Sequence, residues 1–293
     1  MSVNRNQTHV TFLLGLLLSV FACGSQLSPT ETHEDQSFVL DEMIDVGGYR
    51  LHINCAGDPG KGSPTVVMDA GGYDSSESWN KVQPEIAKFA RVCVYDRAGL
   101  GKSERHPSPS YPSQEVVKDL HTLLVNAHIA TPFVLVGHSF GGMNVRLYAS
   151  QHPQEVVGMV LVDSVHEDEM DRWVAMLPLE AKQKMSDADK SLLARLAISE
   201  GQVRAARWHT DIPLVVLTHG VVNPGDYGIP SMAAKGEALR LEMQEALARL
   251  SSRSKHIIAE KSGHYIQRDQ PQLVIDSVRQ VVEATRTSDR KQF

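Results

Sequence analysis

The sequence predicts an α/β fold in which helices flank a mostly parallel sheet, and two observations carry that prediction. From Phe38 onward, short apolar segments alternate with longer amphipathic ones, so strands and helices take turns along the chain. The later strand candidates are also continuous apolar runs (VVM, FVLV, MVLV, LVVL) rather than alternating patterns. Continuous apolar strands suit a parallel sheet covered on both faces and joined by right-handed crossovers.

The strand candidates, in order, are Glu42–Val46, Tyr49–Cys55, Thr65–Asp69, Arg91–Tyr95, Phe133–Val136, Gly158–Val162, Pro213–Thr218 and His256–Glu260. Helical spacing is read at Trp79–Ala90, Ser113–Ala127, Met143–His152, Gly236–Leu250 and Pro271–Thr285. One interval breaks the rhythm. Between Val162 and Pro213 lie about fifty residues, helix-prone and highly charged, far more than a simple crossover needs. Residues 164–211 are therefore expected to form a small helical lid over a site.

The bulk numbers are those of a globular chain: 293 residues, 42% hydrophobic and 22% charged, with a net charge of −6. That mild acidity, without a Lys/Arg-rich run, gives no reason to expect nucleic acid as a partner. The N-terminus differs. Val10 to Ala22 (VTFLLGLLLSVFA) is uncharged, too short to span a bilayer and suited to the apolar region of a signal peptide. It ends in Val20-Phe21-Ala22-Cys23-Gly24, which resembles a bacterial lipobox with Cys23 as the lipidated residue. Residues 1–22 are read as a signal peptide, 23–37 as a flexible linker and 38–293 as the folded domain. The expected location is outside the cytoplasm: periplasmic, anchored to the envelope through an N-terminal lipid, or secreted. Cys55 and Cys93 remain, an even number that permits a disulfide in an exported chain.

The chemistry concentrates at Gly137-His138-Ser139-Phe140-Gly141, a G-x-S-x-G pattern between an expected buried strand and a helix. A nucleophilic serine there needs a sharp, strained turn, and side chains at the flanking positions would collide with neighbouring backbone. Serine is a poor nucleophile at neutral pH and requires a base. Among 13 histidines, His264 stands out: it follows the last strand in Ser262-Gly263-His264-Tyr265 and precedes the final helix. His138, beside the serine, is read as structural.

Four features in this order, Asp69-Ala70-Gly71-Gly72, Tyr95-Asp96-Arg97-Ala98-Gly99-Leu100-Gly101-Lys102-Ser103, the GHSFGG turn and SGHY, make roughly residues 42–286 resemble an α/β-hydrolase. The resemblance implies an eight-stranded sheet and acyl-transfer chemistry at Ser139, with His264 as base. It places the acid most often after the seventh strand, where this chain offers only Asp226 beyond a longer loop. The rival is Asp163, at the end of the sixth strand, a position that some haloalkane dehalogenases use. Both aspartates are carried forward, Asp163 first. The oxyanion donors implied are the N–H groups of Gly72 and Phe140. Asp96, Arg97, Gly99, Gly101 and Ser103 are expected to buttress the adjoining loop. The resembled fold makes the strands of Cys55 and Cys93 neighbours, which implies a disulfide between them. The acidic run Glu167, Asp168, Glu169, Asp171 is read as the solvated start of a helix. No metal or cofactor is assigned. The expected function is an exported carboxylesterase acting on small or medium esters. Its rivals are a lactonase or thioesterase with the same triad and a catalytically silent, ligand-binding α/β-hydrolase.

Overall fold

The computed structural model describes residues 39–286 except 59, 61, 109, 207–209 and 224–228. In chain order the elements are β1 (Val39–Asp45), β2 (Arg50–Ala56), β3 (Thr65–Asp69), α1 (Gln83–Ile86), β4 (Val92–Tyr95), α2 (Ser113–Asn126), β5 (Phe133–His138), α3 (Phe140–Gln151) and β6 (Val156–Val162). They continue with α4 (Glu169–Met176), α5 (Leu179–Gln183), α6 (Asp187–Ala206), β7 (Leu214–His219), α7 (Ala233–Ala248), β8 (Ser254–Ala259), α8 (Ile266–Asp269) and α9 (Pro271–Arg286). The strands form one eight-stranded sheet in the order β1-β2-β4-β3-β5-β6-β7-β8. Only β2 runs against its neighbours, and every pair from β4 to β8 is parallel.

The inner strands β3 to β7 are buried on both faces, which is why they read as unbroken apolar runs. The period of two survives underneath. Phe133 and Leu135 of β5 pack into the layer with α2 and α3, while Val134 and Val136 face the layer with α1 and α9. On α9, Val274, Ile275, Val278, Val281 and Val282 are buried against the second face. Each such side chain contributes about 1.5–3 kcal/mol when taken out of water.

The helix expected over Trp79–Ala90 is only a 3₁₀ turn at Ser76–Trp79 followed by the single turn α1. Its apolar spacing is real, since Trp79, Val82, Ile86 and Ala90 are all buried. Pro84, lacking an N–H, stops a regular helix from running through the segment. α3 begins at Phe140, three residues earlier than its sequence suggests, because Gly141 and Gly142 disguise its first turn.

Residues 169–206 supply α4, α5 and α6. No side chain of α4 or α5 is buried, and α6 buries only Ser199, Glu200 and Val203. The C-terminal half of α6 is nevertheless fixed to the body. The backbone N–H groups of Ser113 and Gln114, at the start of α2, donate to Ser199 Oγ (3.1 Å) and Gln202 Oε1 (2.9 Å). The preceding residue Pro112 caps nothing, so α6 satisfies donors that α2 cannot satisfy itself. Among the described residues, no helix is long and apolar enough to cross a membrane.

Candidate active site

Ser139 sits between β5 and α3 with φ 52° and ψ −120°, a conformation that costs a non-glycine residue about 1–3 kcal/mol. Its backbone is held in place on both sides. The Ser139 N–H donates to the Val162 carbonyl (3.1 Å), and the Ser139 carbonyl accepts from Gly142 (3.0 Å) and Val165 (3.1 Å). The turn closes only because two neighbours lack side chains. A Cβ on Gly137 would lie 2.6 Å from the Gly141 carbonyl oxygen, and one on Gly141 would lie 2.4 Å from that of Asp69.

Asp163, the first residue past β6, is also strained, with φ 44°, and is fully buried. Its N–H donates to the Leu217 carbonyl of β7 (2.7 Å), which pins the strand end. His264 Nδ1 lies 2.5 Å from Asp163 Oδ2. The same oxygen lies 2.9 Å from His219 Nδ1, while Oδ1 accepts the His219 backbone N–H at 3.2 Å. Burial alone would raise the Asp163 pKa. Hydrogen bonds from His219 and His264 and the charge of Arg240 outweigh it and hold the carboxyl far below its usual range. Asp163 is thus the described carboxylate brought to His264. Asp226 and Cys23 lie outside the described residues.

His264 is also tied to the serine turn through its backbone, since its carbonyl accepts from His138 Nε2–H (2.9 Å). The two rings stand 4.7 Å apart. Burial and the nearby His264 push the His138 pKa down to about 3, so His138 is neutral and structural. Gly72 and Phe140 also come together: a Cβ on Gly72 would stand 3.8 Å from the Phe140 Cβ. The Gly72 loop is shaped from behind by buried Arg97. Its guanidinium pairs with Asp69 and donates to the carbonyls of Ala70 (2.6 Å), Gly71 and Gly72 (3.2 Å). Asp96 accepts from the N–H groups of Ser76 (2.7 Å) and Lys102 (3.0 Å), which ties the segment after Gly72 to the loop after β4. A cavity of about 270 Å³ is lined by Gly72 and Phe140 together with Leu192, Arg195 and Leu196 of α6.

A sequence model of the α/β-hydrolase fold matches residues 64–200. The Bacillus subtilis (strain 168) "Uncharacterized protein YqjL" is 30% identical over 240 residues, covering 80% of this chain and 89% of that relative. The chain belongs to the α/β-hydrolase family. Other, longer curated relatives are matched over only 20–29% of their own length. Among solved structures, a putative lipase of Acinetobacter baumannii AYE is 18% identical with a TM-score of 0.62, over 86% of this chain and 93% of the other. A thermophilic esterase from Thermogutta terrifontis is likewise 18% identical, with a TM-score of 0.57, over 86% of this α/β-hydrolase and 100% of the other chain. At that identity the likeness concerns the fold.

The acidic run forms the start of α4, as expected, with Asp171 exposed and Asp168 partly so, but its members are also paired. Glu167 pairs with buried Arg146 (2.6 Å), Asp168 and Asp171 with Arg204 (2.6 and 3.3 Å), and Glu169 with Arg240 (3.2 Å). These ion pairs tie α4 and the two residues before it to α3, α6 and α7. His219, Glu237 and Arg240 were not singled out in the sequence. The one signal was a histidine ending a buried strand. Two groups of metal-ligand type occur among the described residues. In Asp163–His219–His264 both imidazole Nδ1 atoms already face the carboxylate in hydrogen bonds. In His121–His152–Glu155 the histidine rings stack at 4.1 Å, and Tyr148 donates to Glu155 (2.6 Å).

The Cys55 and Cys93 sulfurs lie 2.09 Å apart across the β2–β4 pair, in the register Cys55↔Cys93.

Proposed function

We propose that this α/β-hydrolase is an exported serine hydrolase, a carboxylesterase acting on small or medium esters. One observation carries the reading: His264, whose backbone carbonyl is bonded by His138 next to the strained Ser139, has its Nδ1 2.5 Å from the buried Asp163 carboxylate. Asp163 as acceptor fixes the proton on His264 Nδ1 and leaves Nε2 free to act as a base. Ser139 Oγ attacks the acyl carbon while Nε2 takes its proton. The N–H groups of Gly72 and Phe140 stabilise the oxyanion. His264 then gives the proton to the departing alkoxide, leaving an acyl group on Ser139, and next takes a proton from the water that releases it. Asp163 stabilises the imidazolium at each stage without itself taking the proton.

The cavity under α6 is the place for the acyl or alcohol portion, and residues 164–211 are its lid. The exported location rests on the uncharged Val10–Ala22 segment and on the Cys55–Cys93 pairing, with Cys23 as the point of lipidation. Thioesters and lactones would present the same acyl carbon to the same groups. A fluorophosphonate probe and a series of p-nitrophenyl esters of rising chain length test the reading. The wild type should take the probe and cleave the shorter esters, while S139A should do neither. Labelling that persists in S139A would overturn it.

A further inference from the structure

The acid of this site serves two histidines. Asp163 Oδ2 faces His264 Nδ1 on one side and His219 Nδ1 on the other. The second ring nitrogen of His219 does not point to water. Nε2 lies 3.2 Å from Glu237 Oε2 on α7. A neutral imidazole has one N–H and one lone pair. With a carboxylate oxygen at each nitrogen, a neutral ring would set a lone pair against one of them. Both contacts are satisfied only when both nitrogens carry protons. His219 is buried, so water does not relieve the mismatch.

From this geometry, and resting on the serine-hydrolase reading above, we infer that His219 is a positioning residue. It is an imidazolium clamped between Asp163 and Glu237 that holds the acid in place and weakens its pull on a proton at His264. The other charges facing it pull in both directions. Arg240 of α7 stands 3.4 Å from Asp163 Oδ2 and is itself paired with Glu169 of α4 (3.2 Å). Burial and Arg240 oppose a charge on His219. The hydrogen bond and charge of Asp163, with Glu237 adding to them, prevail and raise its pKa above the ordinary value. His264 itself is the remaining titratable group at the carboxylate.

The consequence concerns when the base is available. A positive charge sharing Asp163 disfavours a second one beside the same carboxylate. Removing the charge at His219 should have the opposite effect.

The experiment compares wild type, H219Q and E237Q. H219Q keeps an N–H donor near Asp163 but removes the charge. E237Q leaves the ring in place and removes the partner that requires its second proton. The acidic limb of the kcat–pH profile should move to higher pH by about one unit in H219Q and by less in E237Q. A residue that merely fills space would lower kcat equally at all pH values, and an unshifted limb in both variants overturns the inference. A second readout needs no turnover. In S139A, the ¹⁵N shifts of His219 near neutral pH should be those of an imidazolium, and shifts of a neutral tautomer overturn the inference even if the variants fold poorly. Because S139A is inert by design, the NMR result stands apart from the esterase assay. A protein that takes no probe and cleaves no ester but shows a charged His219 loses the proposed function and keeps the clamp.

Discussion

Asp163 concentrates strain, burial and charge in one residue. Its positive φ and its link to β7 aim the carboxylate at two imidazoles, and nothing else described offers His264 an acceptor of that kind. D163N should lower kcat by about 10⁴-fold, because an amide can present the wrong hydrogen-bonding face to His264. D226N should leave kcat within about tenfold. A reversed order in steady-state assays of the two variants would move the acid to Asp226. Ser139 and His264 were legible because each sits in a local pattern that chemistry explains. Asp163 was legible only as one of two candidates, since an aspartate at a strand end has several ordinary uses. His219 was invisible because its role exists only across space, where the ends of β6 and β7 lie side by side.

At the scale of elements, the serine turn and the α4–α6 segment make opposite demands. The turn is rigid by close approach. G141A drives a methyl group into the carbonyls of Asp69 and Ala70, at 2.4 and 2.5 Å, the stretch that leads into Gly72. A displacement near 1 Å there should cut kcat/KM by about 10²-fold, measurable on any ester the wild type cleaves. The α4–α6 segment is held by ion pairs and contains one carboxyl that titrates near neutrality. Burial, and then the nearby charge of Asp171, raise the pKa of Glu200 to about 7, and its Oε2 lacks a hydrogen-bond partner. The sign follows from which state binds the proton. The folded protein keeps it up to about pH 7, whereas the unfolded chain releases it near 4.5. The stabilisation is therefore complete below about 4.5 and is lost as pH rises through about 7. Limited proteolysis should cut residues 169–206 faster at about pH 8 than at about pH 5 in the wild type, and at similar rates in E200Q. The sequence announced the existence of these helices through their length and composition. Their ion pairing was not readable, because Arg146, Arg204 and Arg240 come from three different helices.

Across the whole molecule, the sheet was the most legible part. Every strand was found with its ends off by a few residues at most, and β3 to β7 most plainly, since burial on both faces writes an apolar run into each of those. A bridge between Cys55 and Cys93 would close a loop of 38 residues between the neighbouring strands β2 and β4. By loop-closure entropy such a bridge stabilises the fold by about 4 kcal/mol. For a domain of this size, the C55S/C93S variant should melt about 8–15 °C below the oxidised protein. Calorimetry checks this, and two free thiols in the unreduced wild type would remove its basis.

The contact between α6 and α2 bears on how this scaffold could be re-engineered. Ser199 and Gln202 belong to the segment that, under the proposed function, an engineer would first exchange to change substrate preference, yet they finish a helix of the permanent core. A graft that replaces 169–206 wholesale would strand the amides of Ser113 and Gln114, so the chimaera would lose stability before its new selectivity could be assayed. Retaining those two side chains, or installing an N-capping residue in place of Pro112, separates the interchangeable part of the segment from the part the core depends on.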